Sequence, residues 1–129
     1  MKNIFNLEGR CALITGGAGL LGEMHSEAFV EHGGSVIIAD YDLSKAESVA
    51  EKIKNKYNTD KVHASFIDVL DLESIEEVVN RHPEINVLIN NAAKNPKVAK
   101  GEKVGSDFES MTIDQWRDGM DTTLDGAFL

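Results

Sequence analysis

Disulfide chemistry is excluded by arithmetic. The chain carries one cysteine, Cys11, set inside an apolar run. No internal bridge can form, and no other ligand type stands near it at metal-binding spacing. We read it as a small buried core residue. Positive charge is scarce too: 13 lysines and arginines face 22 acidic residues, for a net charge of -9. A surface of that sign repels phosphate backbones and anionic headgroups, which argues against nucleic acid or a membrane surface as a partner. No run approaches the roughly 20 apolar residues of a membrane span. The opening residues, MKNIFNLEGR, lack a signal-type hydrophobic region, so the expected location is the cytoplasm. Internal repeats and low-complexity tracts are absent as well. What remains is an ordinary globular composition, 42% hydrophobic and 27% charged over 129 residues, a length suited to one domain.

Apolar runs alternate with amphipathic stretches along the chain. Cys11–Thr15, Ser35–Ala39, Val62–Phe66 and Asn86–Asn90 are short and predominantly apolar, and read as buried strands. Between them, helical spacing runs over Leu20–His32, with Leu21, Met24, His25, Ala28 and Phe29 in phase, until Gly33-Gly34 stops it. Leu43–Tyr57 places Leu43, Ala46, Val49, Ala50 and Ile53 on one face, with Asp42 as N-cap. Leu72–Arg81 turns Leu72, Ile75, Val78 and Val79 inward, capped by Asp71 and ended by His82-Pro83. A polar loop follows from Lys94 to about Ser110, and a last helix starts after Met111 with Thr112 as its cap. Strands without polar alternation, separated by helices, imply a parallel sheet covered on both faces. Right-handed crossovers then give an α/β, doubly wound sheet with strands in the order 3-2-1-4. In that order Asn86–Asn90 lies at the edge.

The turn after the first strand reads Thr15-Gly16-Gly17-Ala18-Gly19-Leu20-Leu21-Gly22. A glycine motif between a strand and a helix of one βαβ unit is the context in which a dinucleotide pyrophosphate is held. Gly16 permits the tight turn, Gly19 lets backbone approach the phosphates, and Gly22 allows the helix to pack close. The N-terminus of the following helix offers unpaired N–H groups and a positive dipole end. Asp40 closes the second strand, where such folds place the acid that bonds the adenosine ribose hydroxyls. A carboxylate there accepts from a 2′-OH and repels a 2′-phosphate. No arginine or lysine stands in the glycine loop or directly after Asp40, so NAD is favoured over NADP.

With these residues in view, the chain resembles the short-chain dehydrogenase/reductase family. Thr15–Gly22, then Asp68-Val69 after the third strand, then Asn90-Asn91-Ala92-Ala93 after the fourth, are similar to three of its motifs in order. The resemblance implies a Rossmann-type NAD-binding domain, and covers only the N-terminal half of the family's usual length. It implies that Asp68 bonds the adenine amino group, that Val69 packs beside it, and that Asn90, Asn91 and Ala92 stabilise the sheet and line the cofactor groove. Thr15, Gly16, Gly19, Leu20, Leu21 and Gly22 belong to the phosphate loop. It also implies a homo-oligomer in the full-length form.

Two departures stand out. Leu20 occupies a place where classical members usually carry glycine, a spacing common among the extended members. In Asp121-Thr122-Thr123-Leu124-Asp125-Gly126, Thr123 stands where the family's catalytic asparagine sits, and a hydroxyl cannot copy an amide's donor and acceptor pair. The family's catalytic serine and Tyr-x-x-x-Lys are not found in a usable place. Tyr57 and Lys61 spell the spacing, but at the end of the second helix, remote from the inferred groove. His25, His32, His63 and His82 are scattered and read as surface or packing residues, and no metal ligand set is visible. Lys94, Lys97, Lys100 and Lys103 lie in the loop beside the groove, on a solvated face or as an anion site. The Asn-Asn-Ala-Ala stretch with Pro96-Lys97-Val98 is similar to members associated with bacterial surface-sugar and flagellin modification, which implies a sugar derivative among the candidate alcohol or ketone substrates. Three readings stay open: the cofactor-binding part of an NAD-dependent oxidoreductase, a non-catalytic dinucleotide-binding module, or one chain of a split enzyme.

Overall fold

The computed structural model describes residues 4–94 and 111–129. In it the apolar runs become four parallel strands: β1 Cys11–Thr15, β2 Ser35–Asp40, β3 Val62–Phe66 and β4 Val87–Ile89. Their order is β3-β2-β1-β4, as expected. Leu13 sits opposite Ile37 on one side and Leu88 on the other. The two central strands are the most apolar, and alternate residues of each feed opposite layers. Ala12, Ile14, Val36, Ile38 and Val62 pack beneath helices α1 (Leu20–Glu31) and α2 (Leu43–Tyr57). Cys11, Leu13, Ile37 and Ala39 pack with Ile67 and Val69 beneath α3 (Leu72–Arg81). Burial on both faces is why these strands show no polar alternation.

The fourth strand is shorter than its run. Asn86 stands just before it: its backbone N–H donates to Cys11 O at 3.0 Å, while its side chain accepts from Cys11 N–H on Oδ1 and donates from Nδ2 to Gly9 O, both at 3.1 Å. Asn90 leaves it at the other end, where Nδ2 reaches Ala127 O at 3.5 Å. Leu88 is 57% exposed, and among the described residues β4 pairs with β1 alone.

Helix α2 follows its sequence. Asp42 caps it, accepting from Lys45 N–H at 3.1 Å, and Ala46, Ala50 and Ile53 are its buried face with Val49 packed beside them, whereas Leu43, expected on that face, is exposed in the first turn. Helix α1 does not. Of the expected stripe only Phe29 packs against the core; Leu21, Met24, His25 and Ala28 face outward, with Leu21 and Met24 about three-fifths exposed, while Gly22, Ser26 and Val30 are buried. Close approach overrides the apolar pattern. Only the glycine face lets the helix axis come near the β1 turn, and Ser26 can follow it inward because its hydroxyl donates to Gly22 O at 2.8 Å. In α3, Val78 and Ser74 are buried and Ile75 packs against the core, whereas Leu72 and Val79, also expected inward, are half exposed. Surface ion pairs Lys52–Glu23 and Lys56–Glu27 clasp α2 to α1.

The last helix runs without interruption from Ile113 to Phe128, as its sequence suggests, but its middle turn is π-helical. Helix α4 (Ile113–Met120) opens on a reciprocal cap between Thr112 and Gln115, as its sequence suggests. A π-helical stretch, Asp121–Asp125, follows, and α5 (Gly126–Phe128) closes the chain. The extra residue in the π turn resets the helix so that Gly126 meets Val69, where a β-carbon on Gly126 would lie 2.7 Å from Val69 Cγ2. No helix among the described residues is long and apolar enough to cross a membrane.

Three measurements test this packing. Ile38→Ala, at a fully buried position, is expected to cost about 2–5 kcal/mol in urea unfolding. Met24→Ala, on the face the apolar pattern would have buried, should stay within about 0.5 kcal/mol; a core-sized loss there would reverse the assigned orientation of α1. Burial pushes the Cys11 thiol up from its ordinary range. Iodoacetamide should therefore spare it at neutral pH until the chain unfolds, and rapid labelling of the folded chain would contradict its placement.

Candidate functional site

The chain leaves β1 through a turn that only glycine can make. Gly16 has φ +61°, and a β-carbon there would lie 2.9 Å from Ala92 Cα. The next amides are all used. Gly17 N–H donates to Ala39 O at 3.0 Å, Ala18 N–H to Asp40 Oδ2 at 3.0 Å, and Gly19 N–H back to Gly16 O at 3.1 Å. Helix α1 then starts with no side-chain cap, its first helical bond running from Glu23 N–H to Gly19 O at 2.9 Å. The amides of Leu20, Leu21 and Gly22 precede that bond and have no acceptor within the helix. Leu20 and Leu21 open onto a cleft. Gly22 stands behind them, where a β-carbon would fall 2.5 Å from Gly16 O.

A polar interlock joins the ends of β1 and β4. Thr15 Oγ1 accepts from the N–H groups of Asn91 and Ala92, both at 3.1 Å, and Asn91 Nδ2 donates to the carbonyls of Thr15 and Gly16, both at 3.0 Å. The loop after β4 is thereby fixed against the glycine turn. At the end of β2 the Asp40 carboxylate takes Ala18 N–H on Oδ2 and Asp42 N–H on Oδ1, each at 3.0 Å. After β3, Asp68 Oδ1 accepts from Leu70 N–H at 2.9 Å, while its own N–H donates to Ser74 Oγ at 3.0 Å.

These segments surround a cleft of about 960 Å³ outside the carboxyl ends of the strands. That is the crevice in which doubly wound sheets hold ligands, and its volume is at the upper end of the range for small-molecule sites. Nine residues singled out in the sequence line it: Gly16, Gly19, Leu20, Leu21, Asp40, Asp68, Val69, Asn91 and Ala92. Three do not. Thr15 is buried in the interlock, Gly22 is buried beneath the loop, and Asn90 turns away to Ala127. Thr123 is also off the wall and exposed, and the π stretch presents Thr122 instead.

Ala93, the last residue of the Asn-Asn-Ala-Ala stretch, also lines it, as do Tyr41, Ile67, Leu70 and Thr122, to which the motifs assign no role. Tyr41 and Leu70 directly follow Asp40 and Val69, so extending each motif by one residue finds them. The Tyr41 ring leans on Phe66 at 5.6 Å between centroids. Lys94 lines the cleft and pairs with Asp118, whereas Lys97, Lys100 and Lys103 lie outside the described residues. Tyr57 packs against the α1–α2 core and Lys61 Nζ donates to Gly33 O at 3.0 Å, so neither reaches the cleft. Tyr41 and Lys45 spell the same spacing, unremarked in the sequence reading, but Lys45 is paired with Asp42 on α2. None of the four histidines lines the cleft.

Comparison with known proteins agrees with this geometry. The sequence model of the short chain dehydrogenase family matches residues 10–129. Trans-4-hydroxycyclohexanecarboxylate dehydrogenase of Sinomonas cyclohexanicum is 32% identical over 128 residues, covering 93% of this chain and 46% of that protein. The 3-oxoacyl-(acyl-carrier-protein) reductase of Aquifex aeolicus is 32% identical over 127 residues, covering 95% and 48%. Among solved structures, the 3-ketoacyl-(acyl-carrier-protein) reductase of Brucella melitensis complexed with NADH superposes with a TM-score of 0.78 at 25% identity, covering 96% of this chain and 48% of that one. The chain thus spans about half the length of the relatives it matches.

The interlock gives a sharp test. Thr15→Val keeps the shape and removes the acceptor of two amides, and is expected to cost about 1–3 kcal/mol in urea unfolding. Thr15→Ser keeps the hydroxyl and should recover most of that loss. Equal stability of all three proteins would show that the interlock contributes nothing.

Proposed function

The chain belongs to the short-chain dehydrogenase family, and from that premise we propose that it is the cofactor-binding, N-terminal half of an NAD-dependent oxidoreductase acting on an alcohol or ketone. The observation that carries this reading is the Asp40 carboxylate, held at the end of β2 by two backbone N–H groups and facing a cleft whose described lysine, Lys94, is already paired. Each oxygen of a carboxylate has room for about two donors. With one position filled by backbone, each keeps an acceptor for a vicinal ribose hydroxyl, and a 2′-phosphate would meet an uncompensated negative charge.

The remaining walls fit the other parts of a dinucleotide. The free amides of Leu20 and Leu21 at the start of α1 suit a diphosphate, and Gly16 and Gly19 leave no side chain in its way. Asp68 can accept from an adenine amino group, with Val69 and Leu70 against the ring. Asn91, Ala92 and Ala93 line the part of the groove between β1 and β4. A bound nicotinamide would supply the hydride chemistry. This chain's own residues would bind and orient the cofactor and exclude water. Among the described residues no serine lines the cleft, and Tyr41 is its one tyrosine. Tyr41 and Lys45 sit at the ribose end, two strands from Asn91.

Calorimetry with NAD and NADP tests the reading. NAD is expected to bind at least about tenfold more tightly, a difference near 1.4 kcal/mol. Equal affinities, or tighter NADP, would overturn the assignment of Asp40. The 129-residue chain supplied with NADH and a panel of ketones should show no substrate-dependent loss of the reduced-nicotinamide absorbance. Turnover abolished by removing Tyr41 would show that the chain carries its own acid.

A further inference from the structure

Both oxygens of Asp40 are engaged before any ligand arrives, and one of them reaches across 22 residues of sequence to Ala18 N–H. Beside that bond, Gly17 N–H donates to Ala39 O at 3.0 Å. Two consecutive amides of the glycine loop are therefore strapped to two consecutive residues of β2. The Gly17 strap is backbone to backbone and survives any substitution. The Ala18 strap exists only because residue 40 carries an acceptor on its side chain. Ala18 is half-buried, its methyl packed on the core beneath α1 and α2. An amide in that place without an acceptor is driven to turn toward water, and its turning carries Gly19 and the first amides of α1 with it.

We propose that Asp40 is a positioning residue for the glycine loop in addition to a ribose acceptor: through Ala18 N–H it holds Gly19, Leu20 and Leu21 in the geometry that meets a diphosphate. The proposal rests on the dinucleotide reading of the cleft. It has a consequence that a ribose contact alone does not have, because ribose recognition and diphosphate recognition become coupled through one carboxylate. Removing it weakens ligands that have no ribose hydroxyls to lose. Asparagine separates the two roles, since its amide oxygen can still accept from Ala18 N–H while its charge and second acceptor oxygen are gone.

The test compares ADP with 2′,3′-dideoxy-ADP on the wild-type protein, D40N and D40A by calorimetry, with thermal unfolding as a check on folding. For D40A, dideoxy-ADP should weaken roughly tenfold. For D40N it should stay within about twofold of wild type while ADP weakens. Unchanged dideoxy-ADP binding to a folded D40A overturns the proposal, as does an equal loss in D40N and D40A. A ligand-free measurement keeps this separate from the cofactor assignment. Amide hydrogen exchange at Ala18, followed by NMR, should be slow in wild type and D40N and fast in D40A. If the wild-type protein binds neither nucleotide, the dinucleotide reading fails and the Ala18 exchange rates alone decide the positioning role. Equal exchange in all three proteins overturns it.

Discussion

The constraint on which the rest depends is the backbone-to-backbone contact between helix α1 and the turn that precedes it. At Gly22 there is no room for a side chain, because a β-carbon would lie 2.5 Å from Gly16 O and 2.6 Å from Gly17 Cα. That contact fixes how α1 is rotated about its axis, so that Gly22, Ser26 and Val30 face the sheet and the apolar Leu21 and Met24 do not. The same contact sets where the helix begins. Its first residues, Leu20 and Leu21, therefore line the cleft with no capping side chain on their amides, an arrangement suited to an anionic group.

Polar pins hold what the glycines leave loose. A glycine turn loses more conformational entropy on folding than other sequences do, and this one is restrained from two sides. Four hydrogen bonds cross the β1–β4 boundary, three donated by Asn91 and one by Ala92 to acceptors on Thr15 and Gly16. Asp40 and Ala39 take Ala18 and Gly17 across the β1–β2 boundary. Charge-assisted bonds such as the one from Ala18 are about twice as strong as neutral ones. The side of the loop that faces the cleft is thus tied to the side that faces the core, and a carboxylate that lines the cleft also holds the loop that forms its wall.

Much of the fold was legible because its signals are local. Buried strands without alternation, aspartates before helices and glycines after a strand each act within a few residues, and β1, α2 and β3 appear where those signals place them. The failures are of another kind. The rotation of α1 is decided by Gly16 and Gly17, which its helical periodicity does not contain. The π turn in the last helix accompanies the close approach of Gly126 to Val69, more than fifty residues earlier, a contact that helical periodicity does not contain. In α3 the buried face is Ser74 and Val78 with Ile75 packed beside them, and Leu72 and Val79 fall outside it.

The candidate site divides along the same line. From the sequence alone follow its chemical parts: a glycine turn before a helix, an acid at the end of the second strand, an acid-valine pair after the third, and paired asparagines after the fourth. Strand order follows as well, since right-handed crossovers leave few arrangements. Tertiary structure alone decides which of those parts face the cleft. Thr15 and Asn90 carry the same motif signal as their neighbours, yet their polar groups are consumed by Asn91, Ala92 and Ala127. Thr122, in place of Thr123, lines the cleft because a π turn shifts the helix by one residue. Which way a side chain points depends on the last ångström of packing between segments distant in sequence, and hydrophobic pattern does not encode distances that short.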